Sequence, residues 1–151
     1  KIYSEKYNLE GRTITITQTP PPYPIGSLRT IDGAKGVVFD IDNTVTKIVS
    51  VTETRTNWYS AQTWCSNYGA GWYLPSSYEL RLIYNNRSII NAALSANGYT
   101  TLSTDWYWSS TNSNSSSAHV YSLDFSSGNS HLNFKDKNVT QTVRAVLAFE
   151  N

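Results

Sequence analysis

The chain has 151 residues, 12 of them basic and 11 acidic, for a formal net charge of +1; no charged run suits a phosphate backbone or an anionic membrane, so nucleic acid is not an expected partner. A single cysteine, Cys65, excludes an intramolecular disulfide and a Cys-rich zinc site, and no apolar stretch approaches the ~20 residues that span a bilayer, so no membrane insertion is expected. Eleven Tyr and five Trp with only 15% charged residues favour strands and polar loops, a mixture usual in extracellular binding modules.

The absence of Met means that Lys1 is not a translation start, so the chain is expected to be a processed or excised piece of a longer, exported product. One domain is expected, in which residues 1–35, an N-terminal strand and a Pro-rich connection, belong with residues 36–151.

In chain order, RTITIT at 12–17 alternates Ile14 and Ile16 on one face and reads as a strand. TPPPYPIG at 19–26 reads as an extended surface connection, because its prolines cannot donate to a ladder. Val37 to Ile41 and Ile48 to Val51 are β-branched runs, with turn chemistry in Asp42, Asn43 and Thr44 between them. Trp58, Ala61, Trp64, Cys65 and Tyr68 fall at helical spacing, which makes Cys65 a buried core residue; Gly69 and Gly71 are expected to close that helix in a left-handed cap. Ser76 and Glu79, three apart after Pro75, form a capping-box pattern that starts a second helix, with Leu80, Ile83 and Tyr84 as its apolar stripe. A further helical piece around Ile89 to Leu94 is closed by Asn97 and Gly98.

Beyond that point alternation replaces the helical period. Trp106 and Trp108 share one strand face, which leaves Tyr107 on the other as the expected exposed aromatic. Tyr121, Leu123 and Phe125 alternate, Leu132 and Phe134 follow the turn 126–129, and Val143, Ala145, Leu147 and Phe149 form a last run expected to be buried on one face. Arg144, between buried neighbours, is expected to pair with a carboxylate or hold carbonyls. TNSNSSS at 111–117 reads as a loop. Strands, then two or three helices in the first half, then antiparallel strands make an α+β order.

The string DIDNT at 40–44, after an apolar run, is similar to the opening motif of haloacid-dehalogenase-like phosphatases, where Asp40 would be the nucleophile and Asp42 the general acid with magnesium. The downstream carboxylates Glu53, Glu79, Asp105, Asp124, Asp136 and Glu150 are too scattered to complete that site, and the late antiparallel strands do not suit a fold of βα repeats. A hairpin with Asp42 and Asn43 as turn residues is the simpler expectation, with a weak cation at Asp40, Asp42 and Thr44 as a lesser one.

From Gly36 to Phe149 the chain resembles another family. GVVF at 36–39, the helix ending in Cys65-Ser66-Asn67, GWYLPSSYEL at 71–80, YWSST at 107–111 and VRAVLAF at 143–149 occur in the order and spacing of the C-terminal domain named in the collagen-like adhesin Lcl and common in Bacteroides surface proteins. The resemblance implies a C-type lectin-like fold, shared with formylglycine-generating enzymes and with retroelement-diversified variable proteins, whose first and last strands pair. It implies a ligand surface between the YWSS strand and the VRAV strand. That interval holds Asn112, Asn114, His119, Tyr121, Asn129, His131, Asn133 and Asn138, and with Tyr107 the expected ligand-binding set is Tyr107, Asn112, Asn114, His119, His131, Asn133 and Asn138. His119 and His131 lack the spacing and the cysteine partners of a zinc site. One cysteine cannot supply the paired thiols of the enzymatic branch, and the sugar-binding strings Glu-Pro-Asn, Gln-Pro-Asp and Trp-Asn-Asp do not occur.

The function expected from these residues is a non-catalytic ligand-binding or adhesion domain of an exported bacterial protein at the cell surface or secreted, recognising a protein or glycan through its late loops without a cofactor or metal. The alternatives are a structural surface or pilus-assembly module, and the magnesium-dependent phosphatase at Asp40 and Asp42.

Overall fold

The computed structural model describes residues 3–9, 12–18, 23–112, 119–127 and 131–150, with side chains described for 23–112, 119–127 and 135–150. Eleven strands and three helices occur among them. In chain order these are β1 (Tyr3–Leu9), β2 (Arg12–Gln18), β3 (Leu28–Ile31), β4 (Ala34–Ile41), β5 (Val45–Ser50), β6 (Thr54–Thr56), α1 (Trp58–Tyr68), α2 (Ser77–Asn85), α3 (Arg87–Ala96), β7 (Trp106–Asn112), β8 (His119–Asp124), β9 (His131–Asp136), β10 (Gln141–Val143) and β11 (Val146–Glu150). No described helix is long and apolar enough to cross a membrane.

The two N-terminal strands pair with each other, Tyr3 opposite Gln18 and Leu9 opposite Arg12. A four-stranded antiparallel sheet has the order β11-β5-β4-β3, and a five-stranded sheet has the order β6-β10-β7-β8-β9, in which only the pair β10 and β7 is parallel. The α+β order expected from the sequence is therefore present, with all three helices between β6 and β7. The last strand does not pair with the first, as the resemblance implied. β11 instead runs beside β5, Val146 opposite Val49, and β1 is spent on β2.

Local chemistry explains the elements. β3 and β4 are joined by Asp32-Gly33, both at positive φ (49° and 84°), the two-residue turn whose twist suits a hairpin. The β4–β5 turn is closed by Asp42, whose Oδ1 accepts from the amides of Thr44 (2.9 Å) and Val45 (2.7 Å). α1 is capped by Asn57, whose Oδ1 accepts from the Ser60 amide at 2.9 Å, and it buries Trp58, Ala61 and Cys65. Gly69 does not close α1 in a left-handed cap: its φ is 179°, ordinary extended backbone, and positive φ falls on Gly71 at 84°. Glycine at 69 answers to space, since a Cβ there would stand 2.7 Å from Trp72 Cδ1 and 2.8 Å from Ala34 Cβ. α2 carries the full capping box, Ser76 Oγ accepting the Glu79 amide at 3.1 Å and Glu79 Oε1 accepting the Ser76 amide at 2.9 Å. Asn86 ends α2 and begins α3, and its side-chain amide donates to the carbonyls of Phe39 and Leu82.

Two apolar clusters form. One gathers Val37, Phe39, Leu80, Ile83, Ile90, Leu94, Tyr107 and Leu123 beneath α2 and α3; the other gathers Val38, Ile48, Trp58, Ala61, Cys65, Trp72, Trp108, Val120 and Leu147 beneath α1. Successive residues of β4, Val37 and Val38, enter different clusters, so strands shared between the clusters are buried on both faces. The same holds at the C-terminal run, where every residue from 141 to 147 is buried. One-face burial was expected there. The reason it fails is that the run is two strands in two sheets, β10 and β11, with Arg144 and Ala145 at the crossing.

The chain makes the same crossing between β5 and β6, and the two crossings are bonded together. Ser50 donates its amide to the Ala145 carbonyl at 2.8 Å, and the Ala145 amide donates to Ser50 Oγ at 3.0 Å. Arg144, 1% exposed, donates from Nε to Glu53 at 2.8 Å, from Nη1 to the Ser50 carbonyl at 2.8 Å, and from Nη2 to the carbonyls of Thr100 (2.7 Å) and Thr101 (3.1 Å). It both pairs with a carboxylate and holds carbonyls, so each nitrogen of this buried charge has an acceptor at the junction of the sheets.

Candidate functional site

Tyr107 is not an exposed aromatic. It is 1% exposed, and its hydroxyl donates to Glu53 Oε1 at 2.7 Å while accepting the Ser103 amide at 2.8 Å. Burial beside the Glu53 carboxylate pushes its hydroxyl pKa up. The alternation of β7 was read correctly, but both faces of that strand are covered: Tyr107 enters one apolar cluster and Trp108 the other. Trp106, on the same strand face as Trp108, is only half-buried, with the Lys135 ammonium 4.1 Å from its ring centroid.

The other expected site residues divide between the two ends of the sheet. Asn112 is exposed near the end of β7, where it pairs with Val120; His119, half-buried, pairs with Asp136; exposed Asn138 follows two residues later, its amide bonded to Asp136 Oδ1. These three lie towards one end. His131 is in register with Asp124, five residues along β8 from His119, or about 17 Å away. Asn133 is in register with Ser122. The side chains of His131 and Asn133, and the whole of Asn114 and Asn129, lie outside the described residues.

Asp42 is engaged in its turn, and the amides of Thr44 and Val45 hold its carboxyl below the usual carboxylate range. Asp40 stands opposite Lys47 on a strand with antiparallel neighbours on both sides. Among the described residues no three His, Cys, Asp or Glu side chains gather where a metal could be held. Cys65 is fully buried, and burial raises its thiol pKa to about 12.

A different surface is built where α1, the segment after it and β7 meet. The Trp72-Tyr73-Leu74 strand-like turn is fixed by a reciprocal pair of 2.9 Å bonds between the backbones of Tyr73 and Val146. The Ser110 amide donates to the Pro75 carbonyl at 2.8 Å, the Ser77 amide to Thr111 Oγ1 at 3.0 Å, and the Trp58 indole to the Ser109 carbonyl at 2.9 Å. Residues 109–111 thus run between the N-terminal ends of α1 and α2. Trp72 and Leu74 point inward and Tyr73, 36% exposed, points out. Its hydroxyl donates to Glu79 Oε2 at 2.6 Å, and the same carboxylate holds the Lys47 ammonium at 3.0 Å.

Glu79 is 5% exposed. Desolvation alone would raise its pKa, but the bonds from Tyr73, Ser76 and Lys47 outweigh it and the net shift is downward. Tyr73 then flanks an open cleft of about 340 Å3, lined by Gln62, Ser66, Trp72, Tyr73, Leu74 and Ser110. A shallower hollow of about 440 Å3 lies on the outer face of α1 along Tyr59, Thr63, Trp64 and Asn67. Tyr59 and Tyr78, at the first turns of α1 and α2, are 57% and 67% exposed. Lys137 lies 4.3 Å from the Trp58 ring centroid, and Trp58 meets Tyr59 edge to face.

None of these residues was expected from the sequence to belong to a ligand site. A signal was available in Trp72-Tyr73-Leu74, where strand-like alternation between two large apolar residues sends the tyrosine outward.

No curated protein matches the chain. A family model does, the Lcl C-terminal domain, over residues 30–147. That interval contains both sheet crossings, all three helices and the strings that carried the resemblance up to Leu147 of VRAVLAF, and the chain belongs to the Lcl C-terminal domain family.

Proposed function

We propose that this chain is a non-catalytic ligand-binding or adhesion domain of an exported bacterial protein, recognising a protein or glycan through the surface at the ends of α1, α2 and β7. One observation carries the reading. Tyr59, Tyr73 and Tyr78 stand partly or largely exposed around a segment fixed by hydrogen bonds. Tyrosines on a rigid frame offer wide contact area at low entropic cost, with serine, asparagine and glutamine as adaptable bonding groups. The finer reading of the fold as C-type lectin-like is supported by three helices grouped in mid-chain between β6 and β7 and by a last strand returning beside an early one.

The structural-module reading has an observation of its own. GWYLPS, YWSST and VRAVLAF are bonded to one another through Tyr73, Val146, Pro75 and Ser110, so the strings that mark the family are spent largely on the frame. Binding of the intact chain to arrays of glycans and extracellular proteins separates the two. The binding reading expects a partner whose signal is lost in Tyr59→Ser/Tyr78→Ser with an unchanged denaturation midpoint; a domain that binds nothing on either array is a structural module.

A further inference from the structure

The cleft beside Tyr73 has a lining specific enough to name a ligand class. Its floor is apolar, from Trp72 and Leu74, and its wall is the Tyr73 ring, held in place through its hydroxyl by a carboxylate that is itself bonded to Lys47 and the Ser76 amide. Around these stand Gln62, Ser66 and Ser110, all exposed and all neutral groups that both donate and accept. No charged side chain lines it.

That lining discriminates. A charged ligand would give up hydration without a counter-charge to replace it, and a purely apolar ligand would leave the side chains of Gln62 and Ser110 without bonds, while Ser66 Oγ keeps the Thr63 carbonyl as its acceptor at 3.1 Å. At about 340 Å3 the space is at the small end for ligand sites, enough for one ring. We propose that the cleft receives a single neutral sugar residue, its apolar face against Tyr73 and Trp72 and its hydroxyls bonded to Gln62, Ser66 and Ser110. The proposal rests on the binding function proposed above and narrows its ligand to a glycan whose neutral end residue enters the cleft while its further residues cross the exposed tyrosines Tyr59 and Tyr78.

The test is an amide-resolved NMR titration of the intact chain with glucose, galactose, mannose and N-acetylglucosamine, run beside sialic acid and N-acetyltyrosine amide. Shifts at the amides of Gln62, Ser66 and Ser110 with at least one neutral sugar are expected, insensitive to added salt because no charge is involved. Ser66→Trp, which fills the cleft from an exposed helix position, should abolish them, and Gln62→Ala should weaken binding about five-fold through loss of one hydrogen bond. The proposal is overturned by silence with all four sugars, by stronger shifts with sialic acid or with the tyrosine amide, or by shifts that survive Ser66→Trp. Shifts confined to Tyr59 and Tyr78 would refute the cleft while leaving the binding function standing.

Discussion

Glu79 holds three donors at once, the Tyr73 hydroxyl, the Lys47 ammonium and the Ser76 amide, so a single carboxylate joins a strand, the exposed tyrosine and a helix cap. Its pKa lies below the ordinary 4.5, which fixes the sign of its effect on stability. A carboxyl with a depressed native pKa contributes stability that is fully present above its unfolded pKa and is lost as pH falls through the native one. Acid titration of the denaturation midpoint should therefore show a loss below about pH 4.5 that is reduced in Glu79→Gln; an identical acid profile in the variant would remove the carboxylate from this role. At this scale the sequence was informative about some residues and silent about others. Cys65 and Arg144 were legible because each stood alone among apolar neighbours with one possible environment. Tyr107 was not, because alternation tells which residues share a face and not whether the other face is also covered.

α2 begins where its sequence says it must, with Ser76 and Glu79 each satisfying the other's amide. Loss of such a cap costs about 1 kcal/mol, so Ser76→Ala should lower stability by that amount in a denaturant titration with unchanged slope; an unchanged midpoint would show that the box contributes nothing. The helices were readable from period and caps because each signal spans ten or so residues. β3 and β6, at four and three residues, are too short to show a period, and neither was read from the sequence, although Asp32-Gly33 is a turn signal for the first of them. β10 and β11 read as one strand because the alternation of Val143, Ala145 and Leu147 continues across the crossing between sheets. The lesson is physical: a crossing that keeps the chain extended leaves no mark in the hydrophobic pattern.

From β3 to β11 the described residues form two sheets joined where the chain passes twice between them, at residues 51–53 and 144–145, and Arg144 ties both passages to the loop before β7. Removing one partner of a buried ion pair strands the other, so Arg144→Met should cost about 3–5 kcal/mol. Adding Glu53→Gln should cost less than the sum of the two single changes, since no unpaired charge is left; additive losses would show that the pair is not coupled. The frame takes up the buried residues of the family strings, and the binding proposed above is assigned to exposed residues on and around them. The measurement that bears most directly on this division compares Tyr59→Ser/Tyr78→Ser with Tyr107→Phe, each scored for both denaturation midpoint and array binding below its unfolding temperature. The surface pair should lose the ligand and keep its midpoint, while Tyr107→Phe, which leaves Glu53 and the Ser103 amide each short of a partner, should lose about 1–3 kcal/mol of stability and keep the ligand. Ligand lost in Tyr107→Phe at full stability, and kept in the surface pair, would contradict it and return the site to β7.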